Sequence, residues 1–108
     1  MTYPKLQMLI AGEWTDGTSG VSEDVLCPAD GTVLGSVPHA SKADLDNAVA
    51  SSLEGFNKWR AQTPLNRQVI LEKTAQILEE NFEENSANLT REMGKPLAEA
   101  KKIGRAHV

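Results

Sequence analysis

The stretch CPADGTVLGSVPHASKADLDNAV, residues 27–49, contains the change of period that decides the fold. Its first half is turn-and-strand chemistry. Pro28 fixes φ at one turn position, Asp30 can bond its own backbone two residues on, and Gly31 tolerates the left-handed conformation. With apolar, β-prone residues on either side, the segment predicts a hairpin of residues 22–27 against 32–37. After Ser41 the period changes. Ser41 followed by Asp44 is a capping-box pattern, and Leu45, Ala48, Val49, Leu53, Phe56 and Trp59 then share one helical face. The chain reads as β first and α afterwards.

Upstream of the hairpin, MLIAGEWT at 8–15 is β-prone and is separated from it by the polar loop DGTSG. Downstream, Thr63 as N-cap and Pro64 at the first helical position open a second helix. Its expected buried stripe is Leu65, Val69, Ile70, Ile77, Leu78 and Phe82, continuing through Ser86, Leu89 and Met93. Residues 64–93 are therefore one long helix or two, with a break expected near Asn85. Gly94-Lys95 resembles the end of a phosphate-binding loop, but that motif needs a Gly where Leu89 stands and a hydroxyl where Pro96 stands. The pair reads instead as a corner, with Gly94 ending one helix in the left-handed conformation and Pro96 opening the next. The expected fold is α+β: an N-terminal β-hairpin or small antiparallel sheet, then three to four helices. Residues 1–108 form one unit, β-rich over 1–40 and helical over 41–108.

With 108 residues, 40% of them hydrophobic and 24% charged, the chain has the composition of a globular protein and the size of at most one small domain. A net charge of -4 with scattered basic residues argues against nucleic acid as a partner. The acidic group Glu79, Glu80, Glu83 and Glu84 reads as a solvated helix face. No apolar run is long enough for a signal peptide or a membrane span, and a single cysteine, Cys27, fits a reducing compartment, so a cytoplasmic location without a membrane partner is expected.

The chemistry-bearing residues do not assemble in sequence. Cys27 precedes a proline with no histidine nearby and is expected to be a buried structural thiol. His39 and His107 lack the neighbours of a base or ligand, Trp14 and Trp59 are expected in a core or interface, and Lys95 is expected to be solvated. No catalytic or cofactor-binding set is present.

The segments IAGEW, CPADGTVLGSVPHAS, DLDNAVASSLEGFNKWRAQTPLNRQVILEKTAQILEEN and TREMGKPLAEA nevertheless follow one another in a recognisable order. Gly12-Glu13-Trp14, the Pro28 to Gly31 turn, Trp59 ahead of Thr63-Pro64, and the corner from Glu92 to Ala100 resemble the N-terminal region of NAD(P)-dependent aldehyde dehydrogenases. The similarity is greatest to the succinate-semialdehyde dehydrogenases and covers residues 9 to 101. It implies that the chain is an incomplete portion of an α/β cofactor-binding domain. In the family a cysteine attacks the aldehyde, a hydride passes to NAD or NADP, and a glutamate activates water to release the acid.

By that resemblance the nucleophile, the base, the oxyanion-holding Asn and the dinucleotide-binding segment all lie beyond this chain, and Cys27 stands where the family has Asn before Pro. The chain alone is then expected to be inactive and to bind no cofactor. Its partners would be the remainder of the dehydrogenase fold, or further copies of itself. The alternative is a stand-alone helical interaction module without enzymatic activity. Some family members hold a monovalent cation here, and the matching ligands are the backbone carbonyl of Leu26 and the carboxylate of Glu92. After Lys101 the residues KIGRAHV depart from the family pattern, as at an early stop, a frameshift or a proteolytic boundary.

Overall fold

The computed structural model describes residues 2–103. Two antiparallel hairpins precede four helices: β1 (Met8–Ile10), β2 (Glu13–Thr15), β3 (Ser22–Leu26), β4 (Val33–Pro38), α1 (Lys42–Arg60), α2 (Pro64–Glu80), α3 (Phe82–Met93) and α4 (Leu97–Ile103). The α+β order and the helix count match the sequence reading. His107 lies outside the described residues.

The apolar segment at 8–15 is itself a hairpin. Leu9 faces Trp14 and Ile10 faces Glu13 across a two-residue loop, Ala11-Gly12. Both loop residues have positive φ, 54° and 82°, the combination that matches the twist of the flanking strands. Ala11 bears a steric cost there that Asn or Gly would not, and so the turn is not legible from residue preference.

The second hairpin forms as expected. Ser22 pairs with Pro38 and Val25 with Gly35, then the register slips so that Leu26 faces Val33 and Leu34 is passed over. In the connecting turn Gly31 has φ 73°, and the Thr32 amide donates to Asp30 Oδ1 at 3.0 Å, the self-bonded Asp of an Asx turn.

Helix α1 begins in the complete capping box. The Asp44 amide donates to Ser41 Oγ at 3.1 Å, and the Ser41 amide donates to Asp44 Oδ2 at 2.8 Å. Asp44, 8% exposed, also accepts from the Thr18 amide at 2.9 Å, so it ties the β2–β3 loop to the start of α1. These backbone donors hold its carboxyl down at about 2, against an ordinary 3.8. Because the folded-state value is depressed, the stabilisation is present above pH 3.8 and is lost as pH falls through about 2. An NMR titration of the Asp44 carboxyl should therefore show a midpoint near 2, with the Thr18 amide shift following it; a midpoint near 3.8 would mean the junction is not formed.

Thr63 caps α2, accepting from the Asn66 amide at 3.2 Å. The break between α2 and α3 falls at Asn81 rather than near Asn85. Asn81 leaves the helical region with φ -101° and ψ 15°, and its side-chain amide donates to the Ile77 carbonyl at 2.8 Å, competing there with its own backbone amide at 3.2 Å. Gly94 ends α3 at φ 68°, and the Pro96 carbonyl accepts the Glu99 and Ala100 amides as α4 starts.

Packing departs most from expectation. The stripe on α1, Leu45, Val49, Leu53 and Phe56, is exposed, and so are Leu65, Val69, Ile70, Ile77 and Leu78 on α2. Val49 is 72% exposed, Leu65 67% and Trp14 67%, whereas the one buried hydrophobic residue among those described is Ala100. A compact domain of this length has a radius of gyration of about 13 Å; here it is 16.9 Å. The accessible surface is 8160 Å², against about 5,900 Å² for a closed globule of this mass. Helix periodicity correctly marked the apolar faces, but no other part of the described chain covers them.

Candidate functional site

The expected cation ligands come from the end of β3 and the last turn of α3, and two glycines govern how those elements meet. A Cβ on Gly94 would stand 3.1 Å from Pro28 Cγ, so the corner after Glu92 touches the turn after Leu26. The register slip at Val25/Leu26 interrupts regular strand pairing beside the Leu26 carbonyl. Elsewhere on α3, two residues before Glu92, Thr90 Oγ1 is the one buried side-chain polar atom among the described residues without a hydrogen-bond partner.

Glu92 is exposed, and the nearby Lys95 lies 3.7 Å from Glu99. The Glu92 carboxylate accepts a hydrogen bond from the hydroxyl of Tyr3, 89 residues away in sequence. Partial burial, the bond to Glu92 and the negative charge of Glu92 push the Tyr3 phenol up to about 12. The Tyr3 ring rests on Gly35 of β4, where a Cβ would come within 2.9 Å of Cδ1. Nothing in the sequence marks Tyr3, because its partners are set by the tertiary path of the N-terminal strap, the irregular residues 2–7 ahead of β1.

The donor chemistry fits a hard monovalent cation, since a carboxylate and a main-chain carbonyl beside an irregular strand end are both oxygens. No group of three or more His, Cys, Asp and Glu residues suited to a metal ion is present among the described residues.

Cys27 is partly rather than fully buried, in the turn where its amide donates to the Thr32 carbonyl at 2.8 Å. His39 is not merely solvated: its Nε2 lies 3.1 Å from Glu23. Trp14 is exposed, as is Trp59 at the end of α1, so of the core or interface positions expected for them the core is excluded within this chain. A cleft of 640 Å³ lies between the N-terminal strap and the hairpins, lined by Tyr3, Lys5, Asp16, Val21, Leu34 and Pro38 among others. Its charged groups, Lys5 and Asp16, pair with each other at 3.3 Å, which leaves no nucleophile and base together.

A model of the aldehyde dehydrogenase family matches residues 14–106. The chain belongs to the aldehyde dehydrogenase family. Among similar solved structures is a succinate-semialdehyde dehydrogenase from Burkholderia pseudomallei, 34% identical with a TM-score of 0.89 over 94% of this chain and 21% of that one. A putative methylmalonate-semialdehyde dehydrogenase from Sinorhizobium meliloti, complexed with NAD, is 39% identical with a TM-score of 0.82 over 94% and 21%. An NADP-dependent glyceraldehyde-3-phosphate dehydrogenase from Bacillus halodurans, complexed with NADP, is 26% identical with a TM-score of 0.90, again over 94% and 21%. This aldehyde dehydrogenase chain thus spans about one fifth of the length of the structures it matches. Among its described residues, no helix is long and apolar enough to cross a membrane.

Proposed function

We propose that this chain is the N-terminal part of the cofactor-binding domain of a cytoplasmic aldehyde dehydrogenase that oxidises succinate semialdehyde to the carboxylic acid with NAD or NADP. By itself it is inactive. The observation that carries this reading is the unfinished surface: the apolar faces of α1 and α2 are open, and the accessible area exceeds that of a closed domain by about 2,300 Å². An excess of that size is what a large, permanent interface would cover. The rest of a dehydrogenase, about four-fifths of the length of the matched structures, is the surface these helices fit.

The product purified from its source cells with an antibody against this chain should reduce NAD or NADP with an aldehyde panel, and succinate semialdehyde should give the highest kcat/KM. No aldehyde-dependent reduction of either nucleotide would contradict the proposal.

An isolated 108-residue chain has its own consequence. With Leu45, Val49, Leu53 and Phe56 uncovered, it should self-associate, because apolar patches of this extent drive association. Light scattering should show species heavier than 11.7 kDa that shift toward monomer in Leu53→Glu; a monomer at high concentration would show that the faces are not sticky. The same faces suit the alternative of a stand-alone interaction module, which differs in requiring a partner that is not a dehydrogenase.

The Leu26 carbonyl and Glu92 would hold a monovalent cation at the joint between the β3–β4 turn and the α3–α4 corner. There it would neutralise the carboxylate and pin the two segments together.

A further inference from the structure

We propose that Tyr3 is a positioning residue for this cation site, holding the Glu92 carboxylate toward the turn that ends β3. The inference rests on the cation reading above and adds to it a residue from the far end of the chain.

Glu92 is exposed and sits on a long side chain, so an unrestrained carboxylate would lose rotamer freedom on gripping an ion. The Tyr3 hydroxyl removes that freedom beforehand by donating to Oε1. A carboxylate has two oxygens and about four lone-pair sites, so one phenol leaves most of its acceptor capacity open. The donor is also neutral. A lysine or arginine in its place would orient the carboxylate but cancel the charge that attracts a cation, and Lys95 is directed to Glu99 instead.

The phenol is fixed in turn. Its ring fills the notch left by Gly35, where a Cβ would lie 2.9 and 3.0 Å from Cδ1 and Cε1. Gly35 pairs with Val25, next to the register slip at Leu26. The strap therefore indexes the Glu92 carboxylate to the same stretch of sheet that presents the Leu26 carbonyl. Hydrogen bonds behind a ligating carboxylate typically contribute ten- to a hundredfold to ion affinity.

The test uses thallium(I) as probe, with binding to the 108-residue chain followed by equilibrium dialysis under potassium competition and helix content by circular dichroism. Wild type should bind thallium, Glu92→Gln should not, and Tyr3→Phe, which keeps the ring in its notch, should bind roughly tenfold more weakly at unchanged helix content. Gly35→Ala keeps the hydroxyl but displaces the ring, and should weaken binding likewise. If wild type binds no thallium, the cation reading itself fails. If wild type binds and Tyr3→Phe binds equally well, the cation reading stands and the role of Tyr3 is overturned. Should Tyr3→Phe lose its helix content, Gly35→Ala decides: wild-type affinity there overturns the proposal.

Discussion

The 108-residue chain is expected to oxidise no aldehyde with either nicotinamide nucleotide, and the same residues fused ahead of the remaining four-fifths of a related dehydrogenase are expected to give an active enzyme. The two halves of this prediction have different causes. Among the described residues no nucleophile and base come together: Cys27 is tied into a turn, His39 lies against Glu23, and the charged pair at the cleft is Lys5 with Asp16. In the fusion, α1 and α2 gain the surface their apolar stripes lack. Burying one such side chain is worth about 1.5–3 kcal/mol, and more than ten large hydrophobic residues are exposed. Activity in the fusion should vanish again when Val49 and Leu53, both on the open face of α1, are changed to Glu. Activity of the isolated chain, or full activity of the doubly substituted fusion, would contradict this account.

The second large effect is expected at the α3–α4 corner. Gly94→Val meets two obstacles: a φ of 68°, which costs a residue bearing a Cβ about 1–2 kcal/mol, and the Pro28 ring, whose Cγ would lie 3.1 Å from the new Cβ. A proline ring cannot swing away as a long side chain can, so the β3–β4 turn and the corner must part. A loss of about 2 kcal/mol or more in urea unfolding is expected. Gly55→Ala is the control, since it lies inside α1 with nothing within 4 Å of its Cβ position, and there the change should gain about 1 kcal/mol through helix propensity. Equal stability of Gly94→Val and wild type would mean that the joint is open.

What the sequence revealed and what it hid divide along physical lines. Signals confined to a few residues were legible: the Ser41–Asp44 box, the Thr63-Pro64 start, the Asp30-Gly31 turn and the Gly94 corner all form as their chemistry dictates. The Ala11-Gly12 turn was not, because alanine is a poor occupant of positive φ and is tolerated only in context. The α2–α3 break was misplaced by four residues, since Asn81 and Asn85 are equally good competitors for a backbone carbonyl and only the structure shows which one bends the chain. Burial was misread for a different reason. Periodicity identifies the apolar face of a helix but not whether the surface that meets it belongs to the same segment.

At the candidate site, Leu26 and Glu92 came from resemblance to the family. The contact between Gly94 and Pro28 that draws their segments together, and the bond from Tyr3, were beyond sequence reasoning because each joins residues more than sixty positions apart.

The intact mass of the product recovered from its source cells with an antibody against this chain tests the central claim most directly. A mass several times 11.7 kDa is the expected result, with these residues at its N-terminal end. A product of 11.7 kDa that binds no larger dehydrogenase segment would contradict the account and make the open faces of α1 and α2 the docking surface of an unrelated partner.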